Sequence, residues 1–383
     1  MEIPYDMVVE PAGGLVVTGR FSSTTVTFGT YTLTQAGSMD VFVVKYDPSG
    51  NVMWARSAGG GSNDEGYSIA EDGGGNIYVV GYFNSTATFS TTTLTSAGSA
   101  DIFLACYDNA GNFAWAKRAG GPLDDRATNL YVNNAGFCWF GGFFTGDSAV
   151  FGSTVLHSFG IAGNDNGYIA SYDNLGTPLW ATAIDGRSRV QGLTVSGNNV
   201  YASGTFRGDT LHFGNSTLLL NGSTDFFIVN CGLSGNENWA TKNSSGGAGS
   251  ESAFSLAADP WGNLVTCGIF DSNPIGFGAY ALNASVASFD LFVARLGASP
   301  VGFEEIDPAK GFSLFPNPAI EHAKVSFKGT ANLLLYDQAG KLLFRRRCTN
   351  EAELDCHDLP NGMYIVQVER ESSTLFRKLI VMH

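Results

Sequence analysis

One segment of this chain recurs five times, and that recurrence limits the fold more than any other feature. It runs Asp40-Val-Phe-Val-Val-Lys-Tyr-Asp-Pro-Ser-Gly-Asn-Val-Met-Trp54 and returns as Asp101 to Trp115, Asn166 to Trp180 and Asp225 to Trp239. A truncated copy opens at Asp290-Leu-Phe-Val-Ala-Arg, so the starts lie 61, 65, 59 and 65 residues apart. A second element ends in Gly-x-Phe, at Gly19/Phe21, Gly81/Phe83, Gly142/Phe144, Gly204/Phe206 and Gly268/Phe270. Between the two lies a third, in which an aromatic and a leucine sit five apart: Phe28/Leu33, Phe89/Leu94, Phe151/Leu156, Phe213/Leu218 and Phe277/Leu282. Three elements in one order, five times over, describe a modular fold in which neighbouring units build a shared core.

Each unit divides into four strands at its turn residues. In the second, strand A covers 67–71, B 76–83, C 102–107 and D 113–118, with turns at Asp72-Gly-Gly-Gly-Asn76 and Asp108-Asn-Ala-Gly-Asn112. Gly and Asn supply the positive φ angles that tight hairpins need. Near-continuous apolar runs such as Val41-Phe-Val-Val44 fit strands covered on both faces. Four antiparallel strands in a radially repeated unit make a β-propeller, here of about five four-stranded blades over residues 1–297. A row of Ig-like sandwiches would instead repeat at about 100 residues. The spacing and the D-x-F-x-x-x-Y-D-x-x-G-N-x-x-W pattern resemble bacterial β-propeller repeats of secreted proteins, a resemblance that speaks to fold. The fifth unit supplies only strands A, B and C. Its outer strand is therefore expected to be irregular or patched by residues near 298–306.

Composition excludes several functions. Residues 1–300 carry 11 Lys/Arg against 24 Asp/Glu, so phosphate backbones are repelled and nucleic acid is not an expected partner. No run approaches about 20 apolar residues, so no transmembrane helix is expected. The first residues, Met1-Glu2-Ile3-Pro4, lack the basic and apolar regions of a signal peptide, which is therefore not expected within this chain.

Strand alternation puts the long B–C connections and the D–A loops on one face of the propeller. The D–A loops and the strand starts they feed carry variable charge, at Asp64, Glu65, Asp124, Asp125, Arg126, Arg187, Arg189 and Glu251, and form the candidate binding face. Catalysis finds no motif. The histidines (His157, His212, His322, His357, His383) lack metal spacing, and no nucleophile signature is present. No catalytic residue, metal or cofactor is expected. The Asp/Asn turns fall short of a calcium loop. Trp54, Trp115, Trp180 and Trp239 recur at one strand-D position, which points to packing between blades. Asp147-Ser-Ala149 and Asp209-Thr-Leu211 resemble short O-glycan acceptor sites. Cys348 and Cys356 are the expected disulfide pair if any forms, while Cys106, Cys138, Cys231 and Cys267 are expected as buried thiols.

Composition shifts after Gly297. Residues 298–311 read as a linker and 312–383 as a small Ig-like β-sandwich. The second domain opens on Phe312-Ser-Leu-Phe-Pro-Asn-Pro318, continues through Tyr336-Asp-Gln-Ala-Gly-Lys341 and Leu359-Pro-Asn-Gly-Met-Tyr364, and closes on Arg377-Lys-Leu-Ile-Val381. These four blocks resemble the type IX secretion sorting domains of Bacteroidetes envelope proteins. The matching positions are Pro316, Asn317, Pro318, Tyr336, Asp337, Gly340, Lys341, Gly362, Tyr364 and Lys378. The resemblance implies recognition by an outer-membrane translocon and a sortase, and delivery to the outer-membrane surface or medium. The expected function is an exported binding or adhesion module with a glycan or protein ligand. The alternative is an extracellular propeller enzyme, a hydrolase or lyase that degrades polysaccharide.

Overall fold

The computed structural model describes residues 1–158, 164–243, 249–259, 262–278, 280–284, 289–297, 312–337, 340–370 and 373–382. The chain divides into two compact units, Met1–Gly297 and Ala298–His383. All regular structure among the described residues is β.

Blade 1 contains β1 (Glu2–Val9), β2 (Leu15–Phe21), the hairpin β3 (Thr25–Phe28) and β4 (Tyr31–Thr34), β5 (Asp40–Tyr46) and β6 (Val52–Ala58). Blade 2 has β7 (Asp64–Glu71), β8 (Ile77–Phe89), β9 (Thr92–Tyr107) and β10 (Phe113–Ala119); its hairpin is continuous with β8 and β9. Blade 3 has β11 (Asp125–Val132), β12 (Cys138–Phe144), β13 (Ser148–Phe151), β14 (Thr154–His157), β15 (Asn166–Tyr172) and β16 (Pro178–Ile184). Blade 4 has β17 (Ser188–Ser196), β18 (Asn199–Phe206), β19 (Thr210–Phe213), β20 (Ser216–Leu219), β21 (Asp225–Gly232) and β22 (Glu237–Lys242). Blade 5 has β23 (Glu251–Ala258), β24 (Leu264–Phe270), β25 (Ile275–Phe277), β26 (Tyr280–Leu282) and β27 (Asp290–Leu296). Blades 1 to 4 are four-stranded antiparallel sheets, and blade 5 has three strands among the described residues. Residues 298–306, expected near that edge, lie outside the described residues, as does the rest of the 298–311 linker.

Consecutive blades converge at their first strands: β7 packs on β1, β11 on β7, β17 on β11 and β23 on β17. The fourth strands have no such mutual contact and meet the next blade's middle strand or hairpin instead, as β6 meets β8 and β10 meets β13. Sheets that touch at one edge and spread at the other are radial, so the first strands line the axis and the arrangement is a β-propeller. Four apolar seams fill the wedges. Val41 and Val43 of blade 1 meet Phe83, Phe103 and Ala105 of blade 2, and the later seams repeat this pattern.

Three of the recurring tryptophans lock the first three seams. The Trp54 indole donates to the Asn109 carbonyl in the next blade (3.1 Å), Trp115 to that of Asn174 (3.3 Å) and Trp180 to that of Leu233 (2.8 Å). A glycine stands under each ring. A Cβ on Gly111 would lie 2.6 Å from Trp54, and one on Gly235 2.7 Å from Trp180. The turn aspartates are equally committed. Asp72 accepts the Gly74 and Asn76 amides on one oxygen and the Asn76 side chain on the other, and Asp47 and Asp108 cap their turns alike.

In the second unit, β28 (Ser313–Phe315), β29 (His322–Tyr336), β30 (Leu342–Asp355), β31 (Gly362–Arg370) and β32 (Ser373–Val381) make a sandwich. The register of β29 breaks between Ser326 and Thr330. Its first part pairs β28 and its second part pairs β31, so one long strand serves both layers. Phe312, Val325, Leu333, Leu335, Tyr364, Val366 and Leu379 fill the space between.

Two cysteine expectations fail. Cys348 lies within β30, paired opposite Ala331, and Cys356 lies just past the end of the same strand, so the two do not face each other across a hairpin. Both thiols are free. Cys106, Cys138 and Cys231 are buried as expected, but Cys267 is exposed because nothing among the described residues covers its face of blade 5.

Candidate functional site

The repeat register decides which side chains meet at the propeller axis. The second residue of each first strand faces the variable residue of its own Gly-x-Phe element: Ile3 opposite Arg20, Glu65 opposite Tyr82, Arg126 opposite Phe143, Arg189 opposite Thr205, Ser252 opposite Ile269. Three of these first-strand residues also lean back onto the preceding blade. Glu65 reaches blade 1, where its carboxylate accepts the Tyr5 hydroxyl (2.7 Å) and the Arg20 guanidinium (3.1 Å), besides Tyr82 of its own blade (2.8 Å). The Arg126 guanidinium lies over the Tyr82 ring of blade 2, 4.1 Å from its centroid, and Arg189 over Phe143 of blade 3 at 4.2 Å. Tyr67 stands between Tyr5 and Tyr82, with ring centroids 4.9 and 5.7 Å away.

The outcome is a ledge of aromatic rings and arginines that turns with the blades. Asp124 holds Arg126 at 3.0 Å and Asp165 holds Arg189 at 2.6 Å, which fixes both planes above their rings. Burial, followed by the Glu65 carboxylate, raises the Tyr5 and Tyr82 hydroxyls above the ordinary phenol range, so both stay protonated as donors. Glu65 takes three donors from two blades and so anchors the rings around it. Arg187 and Arg207 are exposed nearby, the Arg207 amide donating to the Arg187 carbonyl. Five of the unit's eleven basic residues thus belong to this one face of an acidic body.

The eight charged residues of the candidate face separate into two groups. Glu65, Asp124, Arg126 and Arg189 belong to the ledge, with Arg187 beside it. Asp64, Asp125 and Glu251 are fully buried in the seams between blades. Tyr5, Arg20, Tyr67, Tyr82 and Phe143 are additions that loop charge did not reveal. Three of them carried a signal, since Arg20, Tyr82 and Phe143 are the x of Gly-x-Phe, the one position in that element that varies. A separate open groove of about 530 Å³ lies off the axis between β6 and the blade 2 turns, lined by Leu33, Arg56, Tyr107 and Phe113.

In the second unit the singled-out residues build the fold's closure. The Asn317 side chain donates to the Lys378 carbonyl (2.7 Å) and accepts the Ile380 amide (2.8 Å), which ties the Pro316–Pro318 turn to β32. Ala319 then pairs with the same strand. Asp337 accepts the Lys341 amide (2.9 Å) across a turn in which Gly340 has φ 79°. Tyr364, preceded by Gly362 at the start of β31, donates to the Pro360 carbonyl (2.7 Å), pinning the turn that feeds that strand. Tyr336 ends β29 opposite Ile365.

Known proteins resemble parts of the chain. It is similar to a WD repeat-containing protein of Acanthamoeba polyphaga mimivirus, at 28% identity over 33% of this chain and 10% of that protein. A second relative, regulatory protein FlaEY of Caulobacter vibrioides, is 32% identical over 28% of this chain and 12% of its own length. The chain thus spans only about a tenth of the curated relatives it matches. At the C-terminal end, residues 313–382 match the family model of the secretion system C-terminal sorting domain. A repeat β-propeller followed by a type IX secretion C-terminal sorting domain is therefore what this chain comprises.

Proposed function

We propose that the protein is an exported binding module, carried to the cell surface or medium by its sorting domain, whose propeller holds a carbohydrate chain on the axial ledge. The observation that supports this reading is the ledge itself. Tyr5 and Tyr67 offer aromatic surface suited to the apolar faces of sugar rings, backed by the buried Tyr82. Arg126 and Arg189, braced by their acids and stacked on rings, offer fixed donors to hydroxyl or carboxylate oxygens. The polysaccharide-degrading alternative has less support. Glu65 is engaged by three donors, and the acids that burial pushes up to about 7, Asp64, Asp125 and Glu251, are sealed in the seams. Beyond delivery, the translocon and sortase are the proposed partners of residues 312–383.

A glycan array probed with the intact protein tests this directly, beside Tyr67→Ala and Arg126→Ala. Each variant is expected to lose about 1–2 kcal/mol, or roughly tenfold in affinity, for the glycans bound. Binding that survives both substitutions unchanged would move the site off the ledge.

A further inference from the structure

The four seams share one register, and the chain also carries both halves of a fifth. On the downstream side of each blade, three positions meet the next blade. They are Thr18, Val41 and Val43 in blade 1; Val80, Ile102 and Leu104 in blade 2; Gly141, Gly167 and Ile169 in blade 3; and Ser203, Phe226 and Ile228 in blade 4. All twelve are buried. Their counterparts in blade 5 are Cys267, Leu291 and Val293, and these are exposed, Leu291 by 81% and Val293 by 73%. The upstream half of a seam is the first strand of the next blade. There Gly66, Ala127, Val190 and Ala253 are buried, and so are Ile69, Leu193 and Leu256. Their counterparts in β1 are Pro4 and Met7, both exposed, Met7 by 63%.

These half-seams match in chemistry as well as in register. Asp290 holds the position of Asp40, Asp101 and Asp225, and Glu2 that of their seam partners Asp64, Asp125 and Glu251. Within the propeller, β1 has no contact with β23 comparable to those joining consecutive first strands. The β27 edge also has no fourth strand beside it among the described residues.

We infer that the downstream face of blade 5 receives β1 of a second copy of this chain, forming a head-to-tail seam like the four internal ones. The occupant follows from complementarity: the surface that fits blade 5 is the surface this protein presents at β1. Such a contact is heterologous and either closes into a ring of copies or extends.

Sedimentation of the intact protein over a range of concentrations tests the inference. Masses above the 40.5 kDa of one chain should appear as concentration rises. Leu291→Glu, at a position already open to solvent and so compatible with folding, should weaken association about a hundredfold, since it removes a buried leucine and adds a buried charge. Pro4→Cys adds a positional readout. At the equivalent point of the blade 1–2 seam, a Cβ on Gly66 would lie 2.5 Å from the Thr18 hydroxyl. The new thiol should therefore bond Cys267 of another copy under mild oxidation. A single-chain mass at every concentration, a bridge formed within one chain, or no bridge at all would each overturn the inference.

Discussion

Asp40 and Asp64 converge over Gly59: the Asp40 Oδ1 and the Asp64 Oδ2 lie 2.5 and 2.9 Å from where a Cβ on that glycine would stand. Asp101 and Asp125 repeat the arrangement over Gly120, at 3.0 and 2.8 Å. Asp64 accepts two backbone amides, from Gly60 and Asn84, whereas the Oδ1 of Asp40 and of Asp101 has no donor. A proton shared between the two carboxyls would supply the missing donor. Burial pushes Asp64 and Asp125 up to about 7, with the neighbouring carboxyls adding to the effect, and Glu251 beside Asp225 likewise. The folded state therefore binds these protons more tightly than the unfolded chain. Their stabilisation is complete below the ordinary carboxylate range near 4 and is lost as pH rises through about 7. Thermal unfolding should accordingly occur at a lower temperature at pH 8 than at pH 5. The third seam holds Asn166 and Ser188 in place of the two acids and so has no such dependence. Asp40→Asn copies that solution, with an amide donating where the proton sat. It should raise stability at pH 8 by roughly 1–3 kcal/mol and flatten the pH profile. An unchanged slope, or a loss of stability at pH 8, would count against the shared proton. In the sequence Asp64, Asp125 and Glu251 look like surface charge, because an acid beside a Gly-rich loop looks solvated until its partner from the neighbouring blade is placed.

Strands and turns are far more legible than charges. The Asp-x-x-Gly-Asn turns, the apolar runs and the Trp period depend on local backbone needs that recur in every unit, and β27 begins and ends where the fifth copy of the repeat does. What a strand's far face meets is not local. Trp54 is sealed against blade 2, while Trp239, at the same position in blade 4, is 37% exposed, with no turn of blade 5 over it among the described residues. Trp54→Ala should therefore cost about 3–5 kcal/mol in a denaturant titration and Trp239→Ala clearly less. Equal costs would mean that the indole–carbonyl lock is not what holds a seam. The cysteine pair fails for a related reason. A short hairpin over residues 349–355 is reasonable from sequence, but β29 and β30 pair along most of their length, and the long ladder wins over the local turn.

At the scale of the molecule, the two ends differ in how openly they state their roles. The sorting blocks are legible because each does one fixed structural job, as the Asn317 clamp on β32, the Asp337 turn and the Tyr364 anchor do. The ledge is not, because its rings and arginines occupy the positions at which the five units differ. Export of the propeller by residues 312–383 is the claim on which the rest depends. It is tested by expressing a signal-bearing version, with and without those residues, in a bacterium that has a type IX system, and then fractionating the cells. The intact protein should reach the surface or medium, and the truncated one should stay in the periplasm, folded and soluble. Equal amounts of the two at the surface would contradict the claim.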